Sequence, residues 1–188
     1  DAFSRKYLET GENKQAWTSH TIPSRITKAN YNKPELHKIW IAKSFILPAT
    51  IQTNSVSIRL GTISDRDRTY FNGILIGATG EFGVNYPSAY DKVRIYEIPD
   101  NLIRKGAENL LLIEAEEYFY DTMGIDQDKT EIGPTRTIEK SFTNFEYVKL
   151  VLLMIYLVVG VYYLFLFARR RKEKENFIFG VFTVMLVL

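Results

Sequence analysis

Hydrophobic residues follow two regimes along the chain, and the changeover lies near Thr143. Before it they alternate with polar residues or come in short runs. Val56, Ile58 and Leu60 alternate with Ser55, Ser57 and Arg59, the period of a half-buried strand over Ser55–Ile63. Ile39, Trp40, Ile41, Phe45 and Ile46 form a run apolar on both faces and ended by Pro48, which predicts a central sandwich strand. Tyr70-Phe71 and Ile74-Leu75-Ile76 flank Asn72-Gly73. A type I′ turn needs positive φ at both central residues, so this spacing predicts a hairpin. Val93–Ile98, ended by Pro99, and Leu110–Ala115, carried on to Tyr120, read as further strands. A first, irregular strand is expected near Trp17–Ile22. Gly77–Pro87 reads as a loop, and Asp121–Thr137 as a long polar one. Short strands with turn chemistry between them, and no helical period, predict an antiparallel β-sandwich.

Beyond Thr143 the pattern becomes continuous. Leu150–Ala168 carries no charge and no polar stripe. At about 1.5 Å per residue it spans roughly 28 Å as a helix, close to a bilayer's hydrocarbon core. Thr143 can cap this helix, Glu146 sits three residues on, and Phe142 can staple onto Tyr147. Lys149 can snorkel outwards. At the other end stand Arg169, Arg170, Arg171, Lys172 and Lys174, which mark the cytoplasmic side. Residues 1–146 are then periplasmic or extracellular. A second apolar run, Phe177–Leu188, covers roughly 18 Å, some two-thirds of a crossing. The expected organisation is an extracytoplasmic sandwich over 1–142, a first transmembrane helix over 143–168, a basic cytoplasmic loop over 169–176 and the start of a second transmembrane helix over 177–188. The alternative for the tail is packing on the first helix or lying in the interface.

Charge supports this division. Residues 149–188 hold 6 Lys+Arg and 2 Asp+Glu, net +4, and the remainder is net −2, giving the overall +2. The basic excess is thus a topology signal and no argument for nucleic acid. Cysteine is absent, which removes any disulfide framework or thiolate metal site and fits a bacterial periplasm. Export requires a signal, so a leader is expected to have preceded Asp1.

The order of motifs carries a resemblance. Trp40 to Phe45 and Pro48, Leu60-Gly61-Thr62-Ile63-Ser64-Asp65, Tyr70-Phe71-Asn72-Gly73, Ile76-Gly77, Arg94-Ile95-Tyr96 with Ile98-Pro99, Gly106 with Asn109, and Gly124-Ile125 leading to Gly133-Pro134 resemble a galactose-binding-like jelly roll. Gly160, Tyr162, Leu164, Leu166-Phe167, Arg169-Arg170 and Phe177, Phe179-Gly180 follow. Together these resemble the bacterial seven-transmembrane receptors with diverse intracellular signalling modules, with the jelly roll as their second type of extracellular domain. The resemblance implies a multi-pass protein of the bacterial inner membrane. It also implies a cytoplasmic signalling module outside this chain; a second copy of the chain and the lipid bilayer are further expected partners.

Candidate chemistry is sparse. His20 and His37 stand in polar loop contexts, and no Gly-x-Ser-x-Gly elbow occurs, so no enzyme activity is expected. Glu114, Glu116 and Glu117 read as a solvated strand face rather than a glycosidase pair. Gly77, Gly80 and Gly83 have no following helix to hold phosphate. Asp121, Asp126, Asp128 and Glu131 offer oxygens, but their spacing is not that of an EF-hand loop; no metal and no cofactor are expected. Aromatics are the better lead. Phe82, Tyr86 and Tyr90 share a loop with Glu81 and Asp91, near Arg94, and Tyr118 and Tyr120 end another strand. Flat rings beside charged groups suit stacking on a carbohydrate or other small ligand; the competing reading is that the rings pack the sandwich edge. The function the resemblance implies is extracytoplasmic ligand sensing by a bacterial multi-pass membrane signalling receptor. The alternative is a carbohydrate-anchoring or structural module of a membrane-bound hydrolase.

Overall fold

The computed structural model describes residues 17–24, 26–27, 37–51, 55–81, 88–117 and 122–187. They fall into two compact units, Asp1–Ile138 and Glu139–Leu188.

The first unit is two antiparallel sheets. One runs in the order β1 (Ile26–Thr27), β8 (Thr122–Gln127), β3 (Val56–Ser64), β6 (Val93–Ile98), with β9 (Glu131–Pro134) also on β3. The other runs β2 (Lys38–Ile46), β7 (Glu108–Glu116), β4 (Arg66–Phe71), β5 (Ile74–Thr79). Val56, Ile58, Leu60, Ile63, Ile98 and Ile125 of the first sheet share one core with Phe71, Leu111, Ile113 and Ala115 of the second. Ile39, Ile41 and Phe45 of β2 close its edge, with the Phe45 ring 6.1 Å from that of Phe71. Each fully enclosed Ile or Leu contributes about 1.5–3 kcal/mol over exposure.

The hairpin forms where expected. Phe71 pairs with Ile74, and Asn72 and Gly73 have φ of 48° and 85°. The Asn72 side chain also ties the turn to β7: its Nδ2 donates to Leu102 O (2.8 Å) and Asn109 Oδ1 (3.0 Å), and its Oδ1 accepts from Leu110 N (2.8 Å).

Five expectations are corrected. First, β3 is enclosed on both faces, not one. Ser57 Oγ meets Thr135 Oγ1 at 2.7 Å, and Arg59 Nη2 reaches Asp128 Oδ2 at 2.6 Å, so chain from beyond Asp121 roofs the polar side. Second, that stretch is not a loop. It supplies β8 and β9, which share one edge of β3 through the Ile63–Ile125 and Ser57–Gly133 pairs. Third, β2 is an edge strand, and its outward Trp40 lies against Tyr70 (centroids 6.2 Å) rather than under another sheet. Fourth, the N-terminal strand is Ile26–Thr27, paired with Met123 and Thr122, while Ile22 only packs on the core. Fifth, β5 extends through Gly77 to Thr79, where the expected loop would begin. A Cβ on Gly77 would lie 2.1 Å from Tyr96 Cδ1, so the bare backbone lets the Tyr96 ring lie against it.

Helix α1 runs without a break over Thr135–Arg169, beginning ahead of the expected cap at Thr143. Pro134 ends β9, Thr135 Oγ1 joins Ser55 Oγ (2.7 Å) and Ser57 Oγ, and no Gly or Pro interrupts the chain until Gly160. α1 is long and apolar enough to cross a membrane. In the second unit α1 packs on α2 (Lys174–Met185). A Cβ on Gly160 would lie 2.7 Å from Thr183 Oγ1 and 3.2 Å from Gly180 O, and one on Gly180 would lie 3.0 Å from Gly160 O. Two glycines therefore let the backbones approach closely, as in membrane helix pairs. Tyr163–Phe179 (4.6 Å) and Phe167–Phe177 (5.0 Å) ring contacts continue the seam.

Candidate functional site

Of the expected ligand residues, Phe82, Tyr86, Tyr118 and Tyr120 lie outside the described residues. Glu81 and Tyr90 are exposed, on either side of residues 82–87. The Glu81 carbonyl accepts from Arg66 Nη1 at 2.8 Å, and the Tyr90 amide donates to Ser88 Oγ at 3.3 Å. Arg66 of β4 thus holds the Glu81 backbone, while on the other side Ser88 Oγ donates to Asp65 Oδ1.

Arg94 is placed differently from its expected role at the rim. Its side chain is fully buried. Nε donates to Asp67 Oδ1 (2.9 Å), Nη2 to Asp65 O (2.9 Å), and Nη1 to Ala89 O (2.8 Å) and Lys92 O. A guanidinium so engaged cannot turn outward to a sugar; it braces the backbone on either side of Tyr90. Strand alternation explains the placement, since Arg94 lies inward on β6 opposite Gly61. Asp67 completes the network, accepting also from Thr69 Oγ1 and Tyr96 Oη, each at 2.9 Å. Burial raises the Asp67 carboxyl above its ordinary value of 3.8, while Arg94, then Tyr96 and Thr69, pull against the shift. The Tyr96 hydroxyl is raised as well, by burial first and the Asp67 charge second.

A second constellation occupies the outward face of the β2-β7-β4 sheet. Lys38 Nζ lies 2.5 Å from Glu114 Oε1, Arg68 Nη1 3.4 Å from Glu114 Oε2, and Arg66 Nη2 3.0 Å from Glu116 Oε1. The Trp40 and Tyr70 rings adjoin them. His37 Nδ1 stands 3.7 Å from a Glu117 carboxylate that is 2% exposed. Burial first, and the Glu114 charge second, raises the Tyr70 hydroxyl. The expected solvated glutamate face is thus corrected: Glu114 and Glu117 are buried, and Glu114 holds two cations. The legible signal was Arg66-x-Arg68 against Glu114-x-Glu116, opposite charges at period two on strands that turn out to be neighbours. With Tyr70 and Glu114 buried, the surface this face leaves open is the half-buried Trp40 ring beside Lys38 and Arg68.

Among the described residues no group of three or more His, Asp or Glu could hold a metal. Asp128 and Glu131 instead face Arg59 and Lys129.

No family model and no curated protein matches this chain. Solved structures do resemble it. A β-glucuronidase from Ruminococcus gnavus is similar at TM-score 0.51 and 16% identity, over 71% of this chain and 27% of that one. A β-glucuronidase from Bacteroides uniformis gives TM-score 0.48 and 17% identity over 69% of this chain and 14% of that one. The chain spans about a quarter or less of the length of these two enzymes. At such identity the first likeness speaks to fold alone, and the fold it shares is a β-sandwich domain.

Proposed function

We propose that this chain is the extracytoplasmic sensing region and first membrane helices of a multi-pass bacterial receptor. Its sandwich is a galactose-binding-like jelly roll that takes a carbohydrate or similar hydroxylated ligand. The observation that carries the reading is α1. It starts inside the sandwich unit, at the residue after β9, and continues unbroken as the apolar span. A passive anchor works equally well on a loose linker, whereas a helix that begins at the end of β9 gives a change in the sandwich a route into the span. The motif series from Trp40 to Gly180 supports the receptor assignment by resemblance. The held backbone at Glu81 and the Ser88–Asp65 bond, with Tyr90 exposed next to them, support a ligand rim.

A second reading has its own observation. The likeness to part of a glycoside hydrolase favours a carbohydrate-anchoring module of a membrane-bound hydrolase.

One experiment separates them. The chain lacks cysteine, so a single spin label at Tyr147→Cys, an exposed helix position, reports cleanly. Glycans, including uronic acids, are titrated to millimolar concentration against the chain in bilayers. The receptor reading expects the label's mobility to change with binding, and Tyr90→Ala to weaken both. Binding without change at Tyr147 supports the anchoring module, and no binding by any glycan removes carbohydrate from both readings.

A further inference from the structure

We infer that the turn between α1 and α2 is a binding site for anionic phospholipid headgroups; the inference rests on the reading of α1 as a membrane span. The turn is compact. Arg170 N donates to Leu166 O (2.8 Å), Glu173 N to Arg170 O (3.0 Å) and Asn176 N to Glu173 O (3.2 Å). The Gly160–Gly180 approach and the Phe167–Phe177 rings hold its two arms together, so its cations are gathered on a closed hairpin end. Every residue from Arg169 to Glu175 is exposed.

The charges within it are unevenly matched. Arg170 Nη1 lies 3.4 Å from Glu173 Oε1, and Asn176 Nδ2 donates to Glu173 Oε2 at 2.8 Å, which occupies both oxygens of that carboxylate. Among the described residues, Arg169, Arg171, Lys172 and Lys174 have no carboxylate within ion-pair distance. Glu175 is the one remaining acid in the segment. The cations begin directly after Ala168, where the uncharged run ends, and so stand at the level of lipid phosphates when that run fills the hydrocarbon core. Arginine forks match phosphate oxygens in pairs, and clustered cations beside a span draw anionic lipid within a Debye length. Solvation by water alone would need no such gathering and would show no preference among headgroups.

The test uses the whole chain in phosphatidylcholine bilayers carrying traces of spin-labelled phosphatidylglycerol or spin-labelled phosphatidylcholine. Electron paramagnetic resonance reads the motionally restricted lipid at the protein. The expected result is association of the anionic label about threefold or more over the neutral one at low salt, falling toward parity at roughly 0.5 M salt. A variant with Arg169→Gln, Arg171→Gln, Lys172→Gln and Lys174→Gln keeps the Arg170–Glu173 pair and should lose the preference while retaining restricted lipid. Replacing the arginines by lysine should keep it. Equal association of both labels in the parent overturns the inference and leaves the membrane reading standing, as does a preference that survives the four substitutions. Absence of restricted lipid of either kind overturns both.

Discussion

Arg94→Met should unfold much of the sandwich's stability margin, and should do so in a pH-dependent way. The side chain is fully buried and gives hydrogen bonds to the Asp67 carboxylate and to the carbonyls of Asp65, Ala89 and Lys92. Methionine keeps the volume of the stem but leaves a buried carboxylate and three carbonyls without their donor. Removing one partner of a buried pair costs about 3–5 kcal/mol. A domain typically has only about 5–15 kcal/mol to lose. Asp67 fixes the sign of the pH effect. Its folded-state pKa lies above the ordinary 3.8, so the native state binds the proton more tightly and stability falls as pH rises from 3.8 through the raised value. Arg94 is the largest influence opposing that rise; without it the folded pKa climbs further and the fall deepens. The deficit of the variant is therefore largest near neutrality and shrinks on acidification, where a protonated Asp67 needs no cation. Both tryptophans, Trp17 and Trp40, belong to the sandwich unit, so denaturant unfolding followed by their fluorescence reports it alone. Adding Asp67→Asn to Arg94→Met should recover part of the loss at neutral pH. A deficit below about 1 kcal/mol, or one that stays constant or grows toward pH 5, would refute the reasoning.

Gly73→Val places a β-branched residue at φ 85° and should cost the sandwich about 1–3 kcal/mol, seen as a melting temperature lower by several degrees; an unchanged melt would count against the type I′ turn. Gly160→Leu should force α1 and α2 apart, because even a Cβ there lies 2.7 Å from Thr183 Oγ1 and 2.8 Å from Val184 Cγ2. Overpacking of this kind costs about 1–3 kcal/mol. Cross-linking between cysteines placed at Phe167 and Phe177 should drop, and an undiminished yield would show that the glycine seam does not hold the hairpin.

Local signals in the sequence were read well where one residue sets the backbone. Asn72-Gly73 is such a place, because few other residues accept positive φ twice in succession. The apolar length of α1 is another, because span length is a sum over residues. What escaped was whatever depends on a distant strand. Thr122–Gln127 and Glu131–Pro134 are short, polar and glycine-bearing, and become strands only because β3 offers an edge to pair with. Ser57 and Arg59 alternate as if facing water, yet the chain that covers them arrives only after Asp121. Trp40 suggested a sandwich interior, whereas it lies on the outward face of the edge strand β2, against Tyr70 of β4. For the candidate site, the pattern could not tell that Arg94 is buried and bonds the backbone on either side of Tyr90, since strand phase, and not residue type, decides which way a guanidinium points.

The Asn72-Gly73 turn also governs how the molecule ages. Asparagine before glycine is the dipeptide most prone to lose ammonia, because the small glycine lets its own amide nitrogen attack the side-chain carbonyl carbon. In this fold that carbonyl oxygen is held by Leu110 N, and the amide nitrogen by Leu102 O and Asn109 Oδ1. The same bonds that shape the hairpin clamp the reacting group away from free rotation. Should deamidation occur while the chain is open, the product carries a carboxylate where two carbonyl oxygens expect a donor, and the hairpin meets repulsion at the point where it was fastened. Each unfolding event is then a chance of permanent damage, so the lifetime of this protein is tied to how seldom its hairpin opens.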